Sequence, residues 1–172
     1  MVRLAFHKGR KFPKRGWLLS GIIKMFIGRF SHVELNFPMS DTEMGFPGLS
    51  FSSRGSERKR ELRGVHWKRI KYSHPDRWVF AYIPMTTSKI GYLRLICNKF
   101  IGKKYDVLGA VVWCGLRLRA ERKSKWWCSE ICGRVLCRVV DLVVWKLDPL
   151  QLYNSVLQLD GCYIGDENGK RL

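Results

Sequence analysis

Stretches in which apolar and polar residues alternate recur through the first half of the chain and predict β-strands. Val2 to Phe6 is the first of these, and Phe30 to Phe37 is the second. Leu49 to Ser53 follows a proline-flanked turn and predicts the returning strand of a hairpin. Trp78 to Pro84 is rich in aromatic and β-branched residues, which is typical of a central strand. We therefore expect a sheet of at least four strands.

Apolar residues spaced by three and four positions predict helices in most of the remaining sequence. The predicted helices span Trp17 to Ile27, Thr87 to Ile101, Val107 to Leu118, Trp126 to Val144 and Asp148 to Leu157. Strands followed by helices predict an α+β fold in which an antiparallel sheet packs against helices. Because the chain shows no internal repeat and no linker, we expect one domain over residues 1–164 and a frayed polar tail over 165–172.

The second predicted strand carries the first candidate for chemistry. His32 and Glu34 are two residues apart, so their side chains leave the same face of the strand. The returning hairpin strand brings Ser52 back toward that face, where Ser52 or Glu34 could orient an imidazole. Each residue also has an ordinary interpretation: His32 as a structural histidine, Glu34 as an exposed strand residue or the partner of a nearby arginine, and Ser52 as a turn serine.

Cys128 begins a predicted helix directly after Trp126 and Trp127. Backbone N–H groups in the first helical turn lack intrahelical partners, and together with the helix dipole they lower the pKa of a thiol and can hold an oxyanion. The hydroxyl of Tyr105 is a second candidate for the oxyanion hole. The two indoles are candidate substrate contacts. The alternative is that Cys128 is simply a small buried residue.

Charge narrows the choice of partners. The chain has 32 Lys and Arg against 14 Asp and Glu, a formal net charge of +18. A surface this basic attracts an anionic partner, such as nucleic acid, membrane lipid or a cell-wall polymer. Arg54 to Lys71 is the most charged stretch, and we expect either a mobile loop that attracts such a partner or a merely solvated loop. Arg54 is a candidate substrate contact.

The cysteines indicate a reducing compartment and no metal site. Six cysteines lie in apolar, helix-like segments, and no two have the Cys-x-x-Cys spacing of a zinc site: Cys97, Cys114, Cys128, Cys132, Cys137 and Cys162. We expect reduced thiols, no metal and no cofactor. The first 15 residues lack the features of a secretory signal, and the longest apolar runs are too short to span a bilayer, so a cytoplasmic location is expected.

Several motifs in this order resemble the circularly permuted NlpC-type branch of the papain-like superfamily, in which the histidine strand precedes the cysteine helix. The branch includes bacterial and bacteriophage thiol hydrolases and is related to lecithin retinol acyltransferase-like enzymes. The motifs that carry the resemblance are Phe30 to Leu35, Phe51 to Gly55, Gly102 to Asp106, Trp127 to Glu130 and Asp148 to Leu152. The resemblance covers the chain from about residue 2 to residue 157.

This resemblance implies a papain-like fold with Cys128 as nucleophile and His32 as general base and acid. It places the third polar residue at Ser52; the alternatives are that Glu34 takes this role or that the site needs no third residue. The implied activity is hydrolysis of an amide bond through an acyl-thioester, most of all in a peptidoglycan stem peptide. A small, basic chain without a signal also suggests a phage-encoded or bacterial intracellular protein.

Two other functions stay open at this point. A lipid or protein deacylase or acyltransferase of the same fold would suit the apolar segment Val107 to Leu118, the tryptophan pair and the cationic surface. A non-catalytic basic module that binds nucleic acid or a host protein would suit the charge alone. The sequence does not give the oligomeric state.

Overall fold

The computed structural model describes residues 1–8, 29–37, 48–54, 63–69, 72, 74–106, 125–143 and 148–172. The helices predicted at Trp17 to Ile27 and Val107 to Leu118 lie outside these residues. The strands are β1 (Val2–His7), β2 (His32–Phe37), β3 (Leu49–Arg54), β4 (Gly64–Arg69), β5 (Trp78–Ile83), β6 (Lys104–Tyr105), β7 (Lys125–Trp126) and β8 (Tyr163–Gly165). The helices are α1 (Thr87–Asn98), α2 (Cys128–Leu136) and α3 (Pro149–Leu157).

Six strands form one antiparallel sheet in the order β4-β3-β2-β1-β5-β8. β6 and β7 form a separate two-stranded parallel pair. The predicted α+β class, the antiparallel sheet and all four predicted strands are confirmed. β5 lies inside the sheet between β1 and β8, as its aromatic and β-branched composition indicated.

Polar side chains cap two of the helices. The hydroxyl of Thr86 accepts from the backbone N–H of Lys89 at the start of α1. Asp148 and Gln151 form a reciprocal capping box at the start of α3, which fixes where that helix begins. The prediction for the cysteine helix was too long, because α2 ends at Leu136 instead of continuing toward residue 144. Residues 137–139 form a turn and residues 140–143 are not helical, and hydrophobic spacing alone does not distinguish such a segment from helix.

One face of the sheet packs against the helices. Val33, Leu35 and Phe51 on this face join Leu93 of α1 and Ile131 of α2 in one buried apolar cluster. α2 lies across β2 and β3, and the thiol of Cys132 contacts the carbonyl oxygens of both strands. This packing fixes the start of α2 beside β2.

The opposite face of the sheet is buried as well, although it carries polar residues. Arg3, Glu34 and Asn36 are buried there. The guanidinium of Arg3 donates to Asn36 Oδ1 and to the hydroxyl of Tyr82, and it lies over the ring of Phe80. Buried polar groups are stable only when they are hydrogen-bonded, and these form a connected network.

The C-terminal tail helps to cover this face. The hydroxyl of Tyr82 donates to the carbonyl of Asp166, and Arg3 donates to the carbonyl of Glu167. Gly165 pairs with Arg171 in an antiparallel bridge. The prediction that residues 165–172 fray is therefore wrong, because backbone carbonyls in the tail accept hydrogen bonds from the buried face.

The described parts of the basic stretch from Arg54 to Lys71 differ from the predicted loop. Arg54 ends β3, and Gly64–Arg69 forms β4, so these parts are strands of the sheet rather than a mobile loop. The backbone of Val65 exchanges hydrogen bonds with Gly102 and Lys103, which ties the end of α1 to this strand. Within the described residues, no helix has both the length and the apolar character needed to cross a bilayer.

Candidate active site

The packing of α2 on β2 brings Cys128 to His32. Cys128 is the first residue of α2 and His32 is the first residue of β2. The thiol is buried, with 4% of Cys128 exposed, whereas 19% of the His32 side chain reaches solvent. The thiol and the imidazole interact directly, and each shifts the pKa of the other. The pair therefore sits at an edge of the core where one partner remains accessible.

The surroundings of Cys128 favour the thiolate. Burial raises the pKa of the thiol, but the charge of His32 and its hydrogen bond lower it, and backbone N–H groups of Val33 and Ser129 add to this effect. The net result is a pKa below the usual value for cysteine. This is the electrostatic condition for a cysteine nucleophile at neutral pH.

The imidazole has a second partner on its own strand. Nε2 of His32 lies 3.2 Å from Oε1 of Glu34. Because Nε2–H donates to the carboxylate, Nδ1 is the nitrogen left to accept the proton of Cys128. Burial lowers the pKa of His32, but Cys128 and then Glu34 raise it, and the net pKa is above its usual value. An imidazolium beside a thiolate is thus favoured.

Glu34 is fully buried and is surrounded by donors. Arg54 and Lys68 form ion pairs with Oε1, and the hydroxyl of Ser50 donates to Oε2 at 2.8 Å. Burial raises the pKa of the carboxyl group, but His32, then Lys68 and Arg54, lower it well below its usual range. Glu34 therefore stays ionised at neutral pH and holds the imidazole in one orientation.

Three members of this cluster were not predicted from the sequence: Ser50, Lys68 and Tyr72. The hydroxyl of Tyr72 lies 2.8 Å from Asn36 Oδ1 and 3.3 Å from Glu34 Oε2. Burial, and then the charge of Glu34, raise the pKa of Tyr72 well above its usual value, so its hydroxyl remains a donor. The period of two along β3 could have indicated Ser50, but Lys68 requires the β3–β4 register, in which it pairs with Ser50.

Ser52 does not take the role considered for it. Its hydroxyl donates to the carbonyl oxygen of Val33 at 2.7 Å, so it braces β3 against β2 instead of orienting the imidazole. Of the two residues left open by the sequence, Glu34 is the one in contact with His32. Arg54, considered a substrate contact, pairs instead with Glu34.

The tryptophan pair is mainly structural. Trp127 is 3% exposed, which leaves it almost no surface for a substrate, contrary to the prediction. Trp126 is half-buried, and its ring packs edge-on against Phe100. Its backbone carbonyl accepts from the hydroxyl of Ser53 at 2.7 Å. Tyr105 pairs with Trp126 in the β6–β7 register, two positions before Cys128.

The other thiols with shifted pKa values differ sharply from Cys128. Burial raises the pKa of Cys97, and burial and then the charge of Cys128 raise that of Cys132. Burial also raises the pKa of Cys162 to about 11. The cysteines of the described part of the chain are all free thiols. Among the described thiols with shifted pKa values, Cys128 is the one whose pKa is lowered.

Comparisons with known proteins support the fold alone. No protein-family model matches the chain, and no curated protein matches it. Among solved structures, the chain is similar to metalloprotein yiiX from Escherichia coli O157:H7 (DUF1105), with a TM-score of 0.59 and 14% sequence identity. The similarity covers 95% of this chain and 94% of that chain. At this identity the likeness concerns the arrangement of the backbone and not the chemistry.

Proposed function

We propose that this protein is a cysteine hydrolase of the permuted NlpC-type, papain-like class that cleaves an amide bond through an acyl-thioester. One observation carries the proposal: Cys128 at the start of α2 and His32 at the start of β2 interact closely enough to shift the pKa of each other, and Nε2 of His32 contacts the buried carboxylate of Glu34. A nucleophile, a base and an orienting group in this arrangement are the requirements of thiol acyl transfer.

In the first half-reaction, His32 takes the proton of Cys128 and the thiolate attacks the carbonyl carbon of the amide. The backbone N–H of Cys128, in the first turn of α2, would donate to the oxyanion, and Tyr105 is the candidate second donor. The carbon–nitrogen bond then breaks, and His32 donates its proton to the leaving amine. The products are a free amine and an acyl-thioester on Cys128.

In the second half-reaction, water attacks the thioester carbonyl while His32 accepts its proton. The carbon–sulfur bond breaks, the acid leaves, and the proton returns from His32 to the thiolate. Glu34 stays ionised throughout, because two cations and a hydroxyl hold its carboxylate. Its role is to orient His32 and to stabilise the imidazolium.

The proposed substrate is a peptidoglycan stem peptide, which rests on the sequence resemblance. A cytoplasmic location and a phage or bacterial origin are part of the same proposal and rest on the sequence alone. A lipid or protein deacylase or acyltransferase is the second candidate. It is favoured by a specific observation, the exposed Tyr92 and Leu95 on α1, in a segment that also carries four exposed lysines.

No metal step belongs to this proposal, although the structural neighbour is a metalloprotein. Among the described residues, no three His, Cys, Asp or Glu side chains are grouped so as to hold a metal ion. The Glu34 carboxylate already faces Arg54 and Lys68, whose charges would repel a metal cation. The donor set therefore does not fit a metal centre at this position.

The test is to incubate the protein with purified muropeptides and with fatty-acyl substrates, and to identify covalent adducts by mass spectrometry. We expect a muropeptide-derived acyl group on Cys128, release of the amine, and loss of both in Cys128→Ala. Cys162→Ala is the matched control and should retain activity, because its thiol has a raised pKa.

Other outcomes would redirect the proposal. If the adduct on Cys128 has the mass of a fatty-acyl group, the proposed activity changes from peptidase to deacylase. If a biological effect of the protein persists in Cys128→Ala and no adduct forms, the chain is a binding module for nucleic acid or a host protein, and the enzyme proposal is wrong.

A further inference from the structure

A segment that contains α1 combines a high positive charge with exposed apolar side chains. Residues 84–105 include no Asp or Glu, and their cations are Lys89, Arg94, Lys99, Lys103 and Lys104. The four lysines are exposed. A run of 22 residues without an acid cannot neutralise its own lysines, so it presents a locally cationic surface.

Two of the exposed apolar residues lie on one side of α1. Ile90, Leu93 and Cys97 form the buried side of the helix. Tyr92 and Leu95, three residues apart on the other side, are 55% and 63% exposed.

The exposed surface continues beyond the end of the helix. Lys99 follows Leu95 by four positions and lies on the same side of the helix turn. Ile101 is 41% exposed, and it precedes the exposed Lys103 and Lys104. We define the α1 face as Tyr92, Leu95, Lys99, Ile101, Lys103 and Lys104.

We propose that the α1 face docks on the surface of an anionic lipid bilayer. Lysines are attracted to anionic headgroups, and their long stems let the charge stay at the headgroups while neighbouring apolar side chains enter the acyl boundary. Tyrosine is enriched at this interface, because its ring is apolar and its hydroxyl is polar. A nucleic acid would use the lysines but would gain nothing from Leu95 and Ile101, so charge and apolar surface together favour lipid.

The α1 face leads by a short path to the candidate active site. After Ile101 the chain enters β6, in which Lys104 pairs with Lys125 of β7 and Tyr105 pairs with Trp126. Cys128 follows two residues after Trp126. The docking proposal goes beyond the proposed catalysis and does not depend on it, since none of its residues takes part in the chemistry.

The experiment is co-sedimentation of the full chain with phosphatidylcholine–phosphatidylglycerol vesicles and with phosphatidylcholine vesicles. We expect binding to the anionic vesicles and much weaker binding to the neutral ones. Tyr92→Ser with Leu95→Ser should weaken binding about tenfold, through lost apolar burial. Lys99→Gln, Lys103→Gln and Lys104→Gln together should weaken it roughly a hundredfold, because each lysine near the surface contributes about a factor of five.

Matched controls separate this face from the overall charge. Arg134→Gln, Arg138→Gln and Lys170→Gln remove the same number of exposed charges elsewhere, and Val143→Ser with Leu172→Ser removes exposed apolar residues elsewhere. Both controls should bind like the parent, as should Cys128→Ala.

Three results would overturn the proposal: no binding to anionic vesicles, equal loss in the controls, or a loss with the lysine variant but none with the Tyr92 and Leu95 variant. RNA binding that the lysine variant abolishes, without vesicle binding, would assign the surface to nucleic acid instead. Vesicle binding is measured without substrate, so a negative result would overturn the docking proposal and leave the catalytic proposal untouched. Likewise, a lack of catalytic activity would leave the docking proposal untouched.

Discussion

Nε2 of His32 lies 3.2 Å from Oε1 of Glu34, two residues along the same strand. This contact fixes which nitrogen faces Cys128, and it links the candidate nucleophile to a buried cluster of charges on β3 and β4. The reactivity of the thiol should therefore respond to substitutions of His32, of its partner Glu34, and of the residues that surround Glu34.

His32 sets the pH at which Cys128 becomes reactive. The pKa of Cys128 is lowered, so its thiolate is present below the pH at which an ordinary cysteine ionises. In His32→Ala the effect of burial remains without the imidazole, so the pKa should rise and labelling by iodoacetamide at neutral pH should slow by at least about tenfold. The measurement is the labelling rate of the Cys128 peptide from about pH 5 to about pH 10, followed by mass spectrometry.

His66→Ala is the control for this experiment, because His66 hydrogen-bonds the carbonyl of Gly64 on β4. It should keep the parent profile. An unchanged profile in His32→Ala would contradict the proposed pair.

Glu34 and Ser52 can be separated by the same labelling. In Ser52→Ala the imidazole keeps its partner, so the labelling profile should not move, and the free energy of unfolding should fall by about 1 kcal/mol through the lost hydrogen bond to Val33. In Glu34→Gln the imidazolium loses a charge that stabilises it, so labelling at neutral pH should slow about tenfold.

Circular dichroism should first establish that both variants are folded, since Glu34→Gln also removes the partner of two cations. A slower reaction in Ser52→Ala with no change in Glu34→Gln would reverse the assignment of the third residue.

Lys68 should tune the pair through Glu34. Lys68→Met removes a positive charge beside the carboxylate, so Glu34 should stabilise the imidazolium of His32 more strongly. The pKa of His32 should therefore rise by a few tenths of a unit to about one unit, and labelling of Cys128 at neutral pH should not slow, because the imidazolium stabilises the thiolate.

Lys68→Arg keeps the charge and should restore the parent profile. A lower labelling rate with no shift along the pH axis would mean that Lys68 only supports the structure.

Substitution of Gly64 should affect the stability of the fold, because its backbone conformation and surroundings leave no room for a side chain. Its φ angle is +105°, and a Cβ there would overlap the carbonyl oxygen of Lys103. Gly64→Ala should lower the free energy of unfolding by about 2–4 kcal/mol, measured by urea denaturation. Gly91→Ala, on α1 with open space around it, should raise it by about 0.5–1 kcal/mol. Equal effects at the two positions would contradict this account.

The sequence predicted the parts of the site that local pattern controls. Alternation along β2 placed His32 and Glu34 on one face, and the start of a helix singled out Cys128. Ser50 and Lys68 were missed as partners of Glu34, because Lys68 reaches it only through pairing across β3 and β4. Trp127 was misassigned because an indole beside a nucleophile suits substrate binding and core packing equally well, and only burial distinguishes them.

The contact of Cys132 with Val33 joins positions 99 residues apart in the chain. A contact of that separation closes a long loop and forms slowly relative to local structure. The neighbouring pair of Cys128 and His32 depends on the same docking of α2 onto the sheet. During refolding, selective labelling of Cys128 should therefore appear only when α2 docks onto the sheet in the final, rate-limiting step. The labelling rate of this thiol would then report how much of the protein has completed folding.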